Sequence, residues 1–323
     1  MSEKVTVTIE PGGEGRVDKA LARQFPSAGR RELAQLFDDG AVRIRGARAK
    51  KGDRVNAGDV IELARPPASG DALRPVADPA SGAQLEVLIE RPELVVIAKP
   101  AGMPSQPLRA GETGTAANAI AARWPECAAL ELDGYDPRDG GLVHRLDIGT
   151  SGALIAARTA DAYRALRAAF SAGSVHKSGE RPARSAAAGG AELIDKQYLA
   201  LTVGRPVSRE CDAPLAQRGD HVAIDYTDGL SAHTVFAVER ANATHALVRC
   251  TARTGRMHQV RAHLAHVGSP IAGDTIYGGD AIANHPGFYL HGARIELQFA
   301  GEQLVIEAPL PARFTAALTS IGL

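Results

Sequence analysis

Three side chains able to handle protons or charge, His144, Arg145 and Asp147, fall within one short polar turn of the stretch Gly141–Gly152. A hydrophobic segment, Leu142-Val143, leads into the turn, and an apolar strand, Ala153–Ala157, leaves it. Imidazole, guanidinium and carboxylate are the groups of acid–base chemistry and charge stabilisation. A position just past a strand end gives them a rigid support and access to a ligand. By itself the pattern has a second explanation, in which Asp147 caps the turn and pairs with Arg145. His258, His263 and His266 raise a metal centre as another possibility, with His144 as a further ligand. Spacings of five and three do not bring all three to one helical face, and no carboxylate stands in a zinc pattern, so no metal is expected. Gly12-Gly13-Glu14-Gly15 lacks the Lys-Ser/Thr ending of a phosphate loop, so no nucleotide cofactor is expected either.

The string His144-Arg145-Leu146-Asp147-Ile148-Gly149-Thr150-Ser151-Gly152 resembles the signature of the RluA-like family of RNA pseudouridine synthases. Further landmarks follow in the family's order: Lys99-Pro100-Ala101-Gly102, Lys196-Gln197-Tyr198-Leu199-Ala200 and Ala232-His233-Thr234-Val235-Phe236. Next come Thr254-Gly255-Arg256-Met257-His258-Gln259-Val260-Arg261, then Gly268–Asp274 and Leu290-His291. The likeness covers residues 84–323. It departs from the family at Ile148-Gly149, where a charged or polar pair is frequent, at Ala98, and at Ser105-Gln106.

The resemblance implies isomerisation of uridine to pseudouridine in structured RNA, with Asp147 as the catalytic aspartate. The uracil leaves C1′ of its ribose, rotates, and is rejoined through carbon 5. A carboxylate can attack or stabilise C1′, or take a proton from the sugar, and needs no redox cofactor. By the same resemblance Tyr198 stacks on the uracil and helps remove the proton from carbon 5. Arg261 forms the ion pair that keeps Asp147 charged, while Arg256 competes for that place or touches phosphate. Arg145 enters the base stack left by the flipped nucleotide. His144, Arg256 and His258 complete the substrate-binding set. A non-catalytic RNA-binding or ribosome-assembly protein is the alternative.

The elements that must position these groups are also legible. Helices are predicted at 115–123, 160–171, 256–267 and 311–320, and strands at 85–89, 94–98, 153–157, 197–203, 233–238, 246–251, 289–299 and 303–307. On the 256–267 helix Val260, Leu264 and Val267 share the apolar face, which leaves His258, Arg261 and Ala265 on another. Strands in runs with helices inserted between them predict an α+β domain with a mixed, largely antiparallel sheet flanked by helices. Residues 172–191, rich in Gly, Ser, Ala and Arg, are expected to form a mobile surface loop.

Ahead of this domain, Val17, Leu21 and Phe25 recur at helical spacing, Ser27 can cap a second helix bearing Leu33, Leu36 and Phe37, and Gly40 can end it. Two strands follow, around Val42–Arg45 and Val60–Leu63. Residues 1–65 thereby resemble the small α/β RNA-binding domain named after ribosomal protein S4, with Arg30, Arg31, Arg43 and Arg45 as its RNA contacts. Pro66, Pro67, Pro75 and Pro79 mark 66–83 as an extended linker, which leaves 84–323 as the catalytic domain. Such an accessory domain points to large-subunit ribosomal RNA as substrate, with transfer RNA as the alternative.

Composition sets the outer limits. The 323 residues carry 37 Lys+Arg against 37 Asp+Glu, a net charge of zero. RNA must therefore be met by local patches; residues 30–54 hold eight basic and four acidic side chains, a surplus of four. No run of 18 apolar residues is present, so a membrane span is not expected. The start Met1-Ser2-Glu3-Lys4 lacks the apolar stretch of a signal peptide. Three scattered cysteines argue against a disulfide framework. A cytoplasmic monomer is the expectation.

Overall fold

The computed structural model describes residues 4–25, 28, 30–67, 71–132, 135–172 and 194–323. The segment expected as a mobile loop, apart from Ala172, and the expected cap Ser27 lie outside the described residues. The chain divides into two compact units: Met1–Val76 with Pro107–Thr113 and Gly134–Asp139, and the remainder.

In the smaller unit, strands Val5–Thr8, Val60–Leu63, Val42–Ile44 and Ala47–Arg48 form a four-stranded antiparallel sheet in that order. Helices Val17–Gln24 and Arg30–Asp38 pack on it through Val17, Leu21, Leu33, Leu36 and Phe37, over Val42, Ile61 and Leu63. Gly40 ends the second helix at φ +68, as a left-handed C-terminal residue should: Gly40 N donates to Phe37 O and Ala41 N to Leu36 O. Arg45 and Gly46, both at positive φ, make the two-residue turn between Val42–Ile44 and Ala47–Arg48.

The larger unit is built on one nine-stranded sheet. Its order is Glu210–Cys211, Thr234–Ala241, His245–Ala252, Asp195–Val203, Leu290–Phe299, Ser151–Ala157, Leu94–Lys99 and Glu86–Glu90, with Glu302–Glu307 also paired to Leu290–Phe299. Every pairing is antiparallel except that of Leu290–Phe299 with Ser151–Ala157. The sheet is therefore mixed and largely antiparallel, as the strand runs imply. At the parallel junction Gly152 faces Gly292, and a Cβ on Gly152 would stand 2.3 Å from Gly292 O. Only a residue without a side chain, tolerant of φ +128, fits there. Helices Ala116–Arg123, Ala160–Ala172, Gln259–His266 and Ala312–Ser320 flank the sheet.

Two sequence expectations change. Part of the expected linker is the helix Pro79–Ala83: Asp78 caps it by accepting from Ser81 N at 3.2 Å, and Gly82 is buried with Ala119 and Ala122 close by. Proline breaks a helix from within but starts one well at its first position. The helix expected from 256 begins at Gln259 instead, because His258 is left-handed at φ +52. Gln259 holds the preceding turn by accepting from Thr254 Oγ1 at 2.6 Å and from Arg256 N at 3.1 Å.

Candidate active site

Asp147 sits in the turn that feeds Ser151–Ala157, closed by Thr150 N donating to Asp147 O at 3.0 Å. The segment after Leu94–Lys99 stitches this turn in place. Ser105 Oγ accepts from Leu146 N at 3.0 Å and donates to Leu146 O at 2.7 Å, and Gly102 N donates to Ile148 O at 2.7 Å. The buried Lys99 ammonium donates to Pro100 O at 2.9 Å, Met103 O at 2.7 Å and Ile148 O at 3.3 Å. Both neighbours of Asp147 are fixed through their backbones, so its carboxylate has a defined direction.

Arg261, from the first turn of Gln259–His266, meets that carboxylate: Nη1 donates to Asp147 Oδ2 at 3.2 Å. Its side chain is 4% exposed, while that of Asp147 keeps 27%. Asp274 takes the opposite edge of the guanidinium, accepting from Nε at 2.6 Å and Nη2 at 2.9 Å. The guanidinium carbon lies 4.4 Å from the Phe288 ring centre and 5.1 Å from that of Tyr277. Burial opposes the Arg261 charge, but the carboxylates of Asp274 and Asp147 outweigh it and hold the group above its ordinary value. His258 completes this side, with Nε2 3.8 Å from Asp147 Oδ1 and Nδ1 sharing a 3.1 Å hydrogen bond with Tyr277 Oη. Burial lowers the His258 pKa, against the pull of Asp147.

Tyr198 lies in Asp195–Val203 opposite Gly292 of Leu290–Phe299, at a register shift between Gln197 and Tyr198. Gly292 leaves room for the ring, whose edge comes 3.6 Å from where a Cβ would stand. Burial, and then the charge of Asp147, push the phenol up to about 12. Burial pushes Lys99 down to about 7, with Asp147 opposing. The Asp147 charge is thus felt by Lys99, Tyr198, His258 and Arg261 together.

The remaining assigned residues divide. Arg145 is exposed beside Asp147. Arg256 does not pair with Asp147; its Nε donates to Ser231 O at 3.0 Å, and burial lowers its pKa. His144 has an internal role that the sequence did not show. Its ring stacks on Phe170 at 4.5 Å and its Nε2 accepts from Ile155 N at 3.2 Å, so an internal acceptor role stands beside the expected RNA contact. In the smaller unit Arg43 donates to Gly46 O at 2.9 Å and Arg45 forks onto Asp59. Arg30 and Arg31 open their helix, and their side chains lie outside the described residues. His263 is buried between Thr234 Oγ1 at 2.9 Å and Ala213 O at 2.9 Å. Among the described residues no group of three His, Cys, Asp or Glu is placed to hold a metal.

Four groups at the site were not assigned from sequence: Asp274, Tyr277, Phe288 and Lys99. Asp274 and Lys99 stand inside quoted landmarks, so their presence was visible but not their partners. Phe288 has no local signal, because its contacts come from positions 149 and 261.

Residues 93–266 match the family model described as RNA pseudouridylate synthase. A ribosomal large subunit pseudouridine synthase D from Xanthomonas campestris pv. campestris is 32% identical over 314 residues, covering 92% of this chain and 86% of that protein. The protein of the same name from Xylella fastidiosa is 33% identical over 276 residues, covering 84% and 74%. Among solved structures, human RNA pseudouridylate synthase domain containing 4 superposes with a TM-score of 0.56 at 20% identity, over 78% of this chain and 97% of that one. That last likeness is one of fold.

Proposed function

The chain belongs to the RNA pseudouridylate synthase family, and on that premise we propose that it isomerises uridine in large-subunit ribosomal RNA with Asp147 as the working carboxylate. One observation carries the assignment to Asp147: the carboxylate accepts from a buried arginine at 3.2 Å yet keeps 27% of its surface open. The buried guanidinium fixes one edge of the carboxylate, and the open edge is free to meet a ribose.

A uridine inside folded RNA has to be flipped out, which costs on the order of a few kcal/mol. Arg145, exposed and two residues before Asp147, can fill the vacated stack with its planar guanidinium. Asp147 then acts at the sugar, either by attack or charge stabilisation at C1′ or by taking a ribose proton, while the C1′–N1 bond breaks. Rejoining at carbon 5 requires that the proton on that carbon leave and that N1 gain one. Tyr198, whose phenol is kept protonated up to about 12, stacks on the base, and its hydroxyl oxygen takes the carbon-5 proton as its own proton passes to N1. Redox chemistry has no place in this balance, and no nucleotide cofactor is called for.

Large-subunit ribosomal RNA is favoured because both relatives above carry that substrate in their names and align over most of this chain. Transfer RNA is the second possibility. The smaller unit is assigned to RNA binding on its resemblance to the S4-type domain and on the basic side chains of its hairpin. Action in the cytoplasm belongs to the same proposal, supported by three free, buried cysteines, and so does the monomeric state. Among the described residues no helix is long and apolar enough to cross a membrane.

The test is pseudouridine mapping of total RNA from cells lacking the protein, complemented with wild type or Asp147→Ala. Positions lost in the deletion and restored by wild type alone establish activity and substrate together. If Asp147→Ala restores them, or nothing changes, a non-catalytic RNA-binding role takes the place of this reading.

A further inference from the structure

The Asp147 turn and the Arg261 side chain meet not only through their ion pair but also through one ring. Phe288 lies with its centre 4.4 Å from the Arg261 guanidinium carbon. The same ring abuts Gly149, two residues beyond Asp147: a Cβ on Gly149 would stand 2.5 Å from Phe288 Cε1 and 2.8 Å from its Cζ. Gly149 is not at positive φ, so the glycine there serves space and not backbone conformation. A second close approach fixes the backbone that carries the ring. A Cβ on Gly273 would stand 2.2 Å from Gly287 O and 3.2 Å from Phe288 Cα. Gly273 precedes Asp274 and Gly287 precedes Phe288, so one backbone contact delivers both the carboxylate fork and the aromatic face to Arg261.

From this we infer that Phe288 is a positioning residue for the Asp147–Arg261 pair: its ring is wedged between the Asp147 turn and the guanidinium, and it sets how the two approach. Asp274 fixes the guanidinium within its own plane by two hydrogen bonds. Both bonds lie on one edge and leave the Nη1 end able to swing, and a ring in contact with the guanidinium restrains that swing. A guanidinium restrained in both senses presents Nη1 to Asp147 without further ordering. Position 288 lies beyond the matched span 93–266, and the space it fills is left by Gly149.

The inference rests on Asp147 and Arg261 being the working pair, and its test has a readout that does not depend on activity. Phe288→Leu keeps an apolar side chain but removes the flat face. In ¹⁵N spectra of the full chain, the Arg261 guanidinium should lose its restricted rotation in this variant. Its kcat on the RNA substrate should fall about tenfold, with KM within about twofold of wild type. Gly149→Ala should displace the ring and lower kcat similarly. Combining it with Phe288→Leu should cost less than the product of the two single losses, because the Cβ then meets no ring. Guanidinium signals unchanged in a folded Phe288→Leu protein, or losses that multiply in the double variant, overturn the inference. Loosened signals with kcat unchanged would uphold the positioning and count against Asp147–Arg261 as the working centre.

Discussion

Asp147 and Asp274 divide one guanidinium between them: Asp274 holds Nε and Nη2 of Arg261 at 2.6 and 2.9 Å, and Asp147 receives Nη1 at 3.2 Å. The two contacts have different work to do. Asp274 is 1% exposed and bidentate, the arrangement that suits a buried charge because the desolvation of both partners is met by paired hydrogen bonds. Asp147 is more open and singly bonded, so it can exchange part of that contact for a substrate. The buried pair anchors a cation, and the anchored cation keeps one N–H directed at the accessible carboxylate.

Arg261→Lys is therefore not conservative. One ammonium cannot fork onto Asp274 and also reach Asp147, so a carboxylate is left uncompensated. A stability loss of about 3–5 kcal/mol is expected, the range for breaking a buried pair from one side. The kcat should fall by about 10²-fold or more, as charge placement is lost. Urea denaturation and single-turnover kinetics read the two effects separately. Wild-type values for both would remove Arg261 from the centre.

Tyr198→Phe separates stacking from proton handling. The ring persists over Gly292 while the hydroxyl is gone, so RNA affinity should hold and kcat should drop by about 10²–10⁴-fold, the usual span for a lost acid–base group. Since burial and Asp147 keep the phenol protonated up to about 12, wild-type kcat should show no rise from phenol ionisation between pH 7 and 10. A Phe variant with full kcat would leave Tyr198 with stacking alone.

Most of this centre is legible in the amino-acid order itself, because its groups lie inside contiguous strings. Asp147 with Thr150-Ser151-Gly152, and Arg261 ahead of Leu264, stand out through the family resemblance of the strings that hold them; the residues alone leave Asp147 equally a turn cap. Some elements follow from periodicity, whereas the central strands Leu94–Lys99 and Ser151–Ala157 are buried on both faces and read as short apolar runs. What escapes is long-range or locally ambiguous. The hairpin Leu215–Arg218 and His221–Ile224 has too little alternation to announce strands, yet its Val222 bonds Tyr277 Oη. His144 reads as a site residue because it neighbours Arg145; its burial against Phe170 depends on a helix sixteen residues or more further on. Phe288 becomes meaningful only once Gly149 and Arg261 have been brought to it.

Two histidines make the fold acid-sensitive. Burial pushes His144 down to about 3 and His263 down to about 4. Unfolded imidazoles take up protons near pH 6.5. Between about pH 6.5 and 4 the unfolded chain therefore binds more protons than the folded one, and stability falls as pH falls. The slope contributed by each group is at most ~1.4 kcal/mol per pH unit. Urea denaturation at pH 7.5, 6, 5 and 4.5 should show the decline. His144→Phe should lower stability at every pH, because Ile155 N loses its acceptor, yet make the slope shallower. An unchanged slope would mean that His144 is already charged in the fold.

The smaller unit makes its own prediction about salt. Arg43 carries a charge that its contact with Gly46 O does not neutralise, whereas Arg45 is matched by Asp59 through a forked pair at 2.8 Å. If this hairpin meets phosphate, Arg43→Ala should weaken RNA binding several-fold and flatten the dependence of log affinity on log salt by about 1. Replacing the matched pair as a unit, Arg45→Ala with Asp59→Asn, leaves the net charge unchanged and should leave that slope near wild type. Filter binding of the RNA substrate from 50 to 300 mM salt, roughly the range in which such slopes are read, separates the variants. Equal slopes for Arg43→Ala and wild type would take the hairpin off the RNA surface.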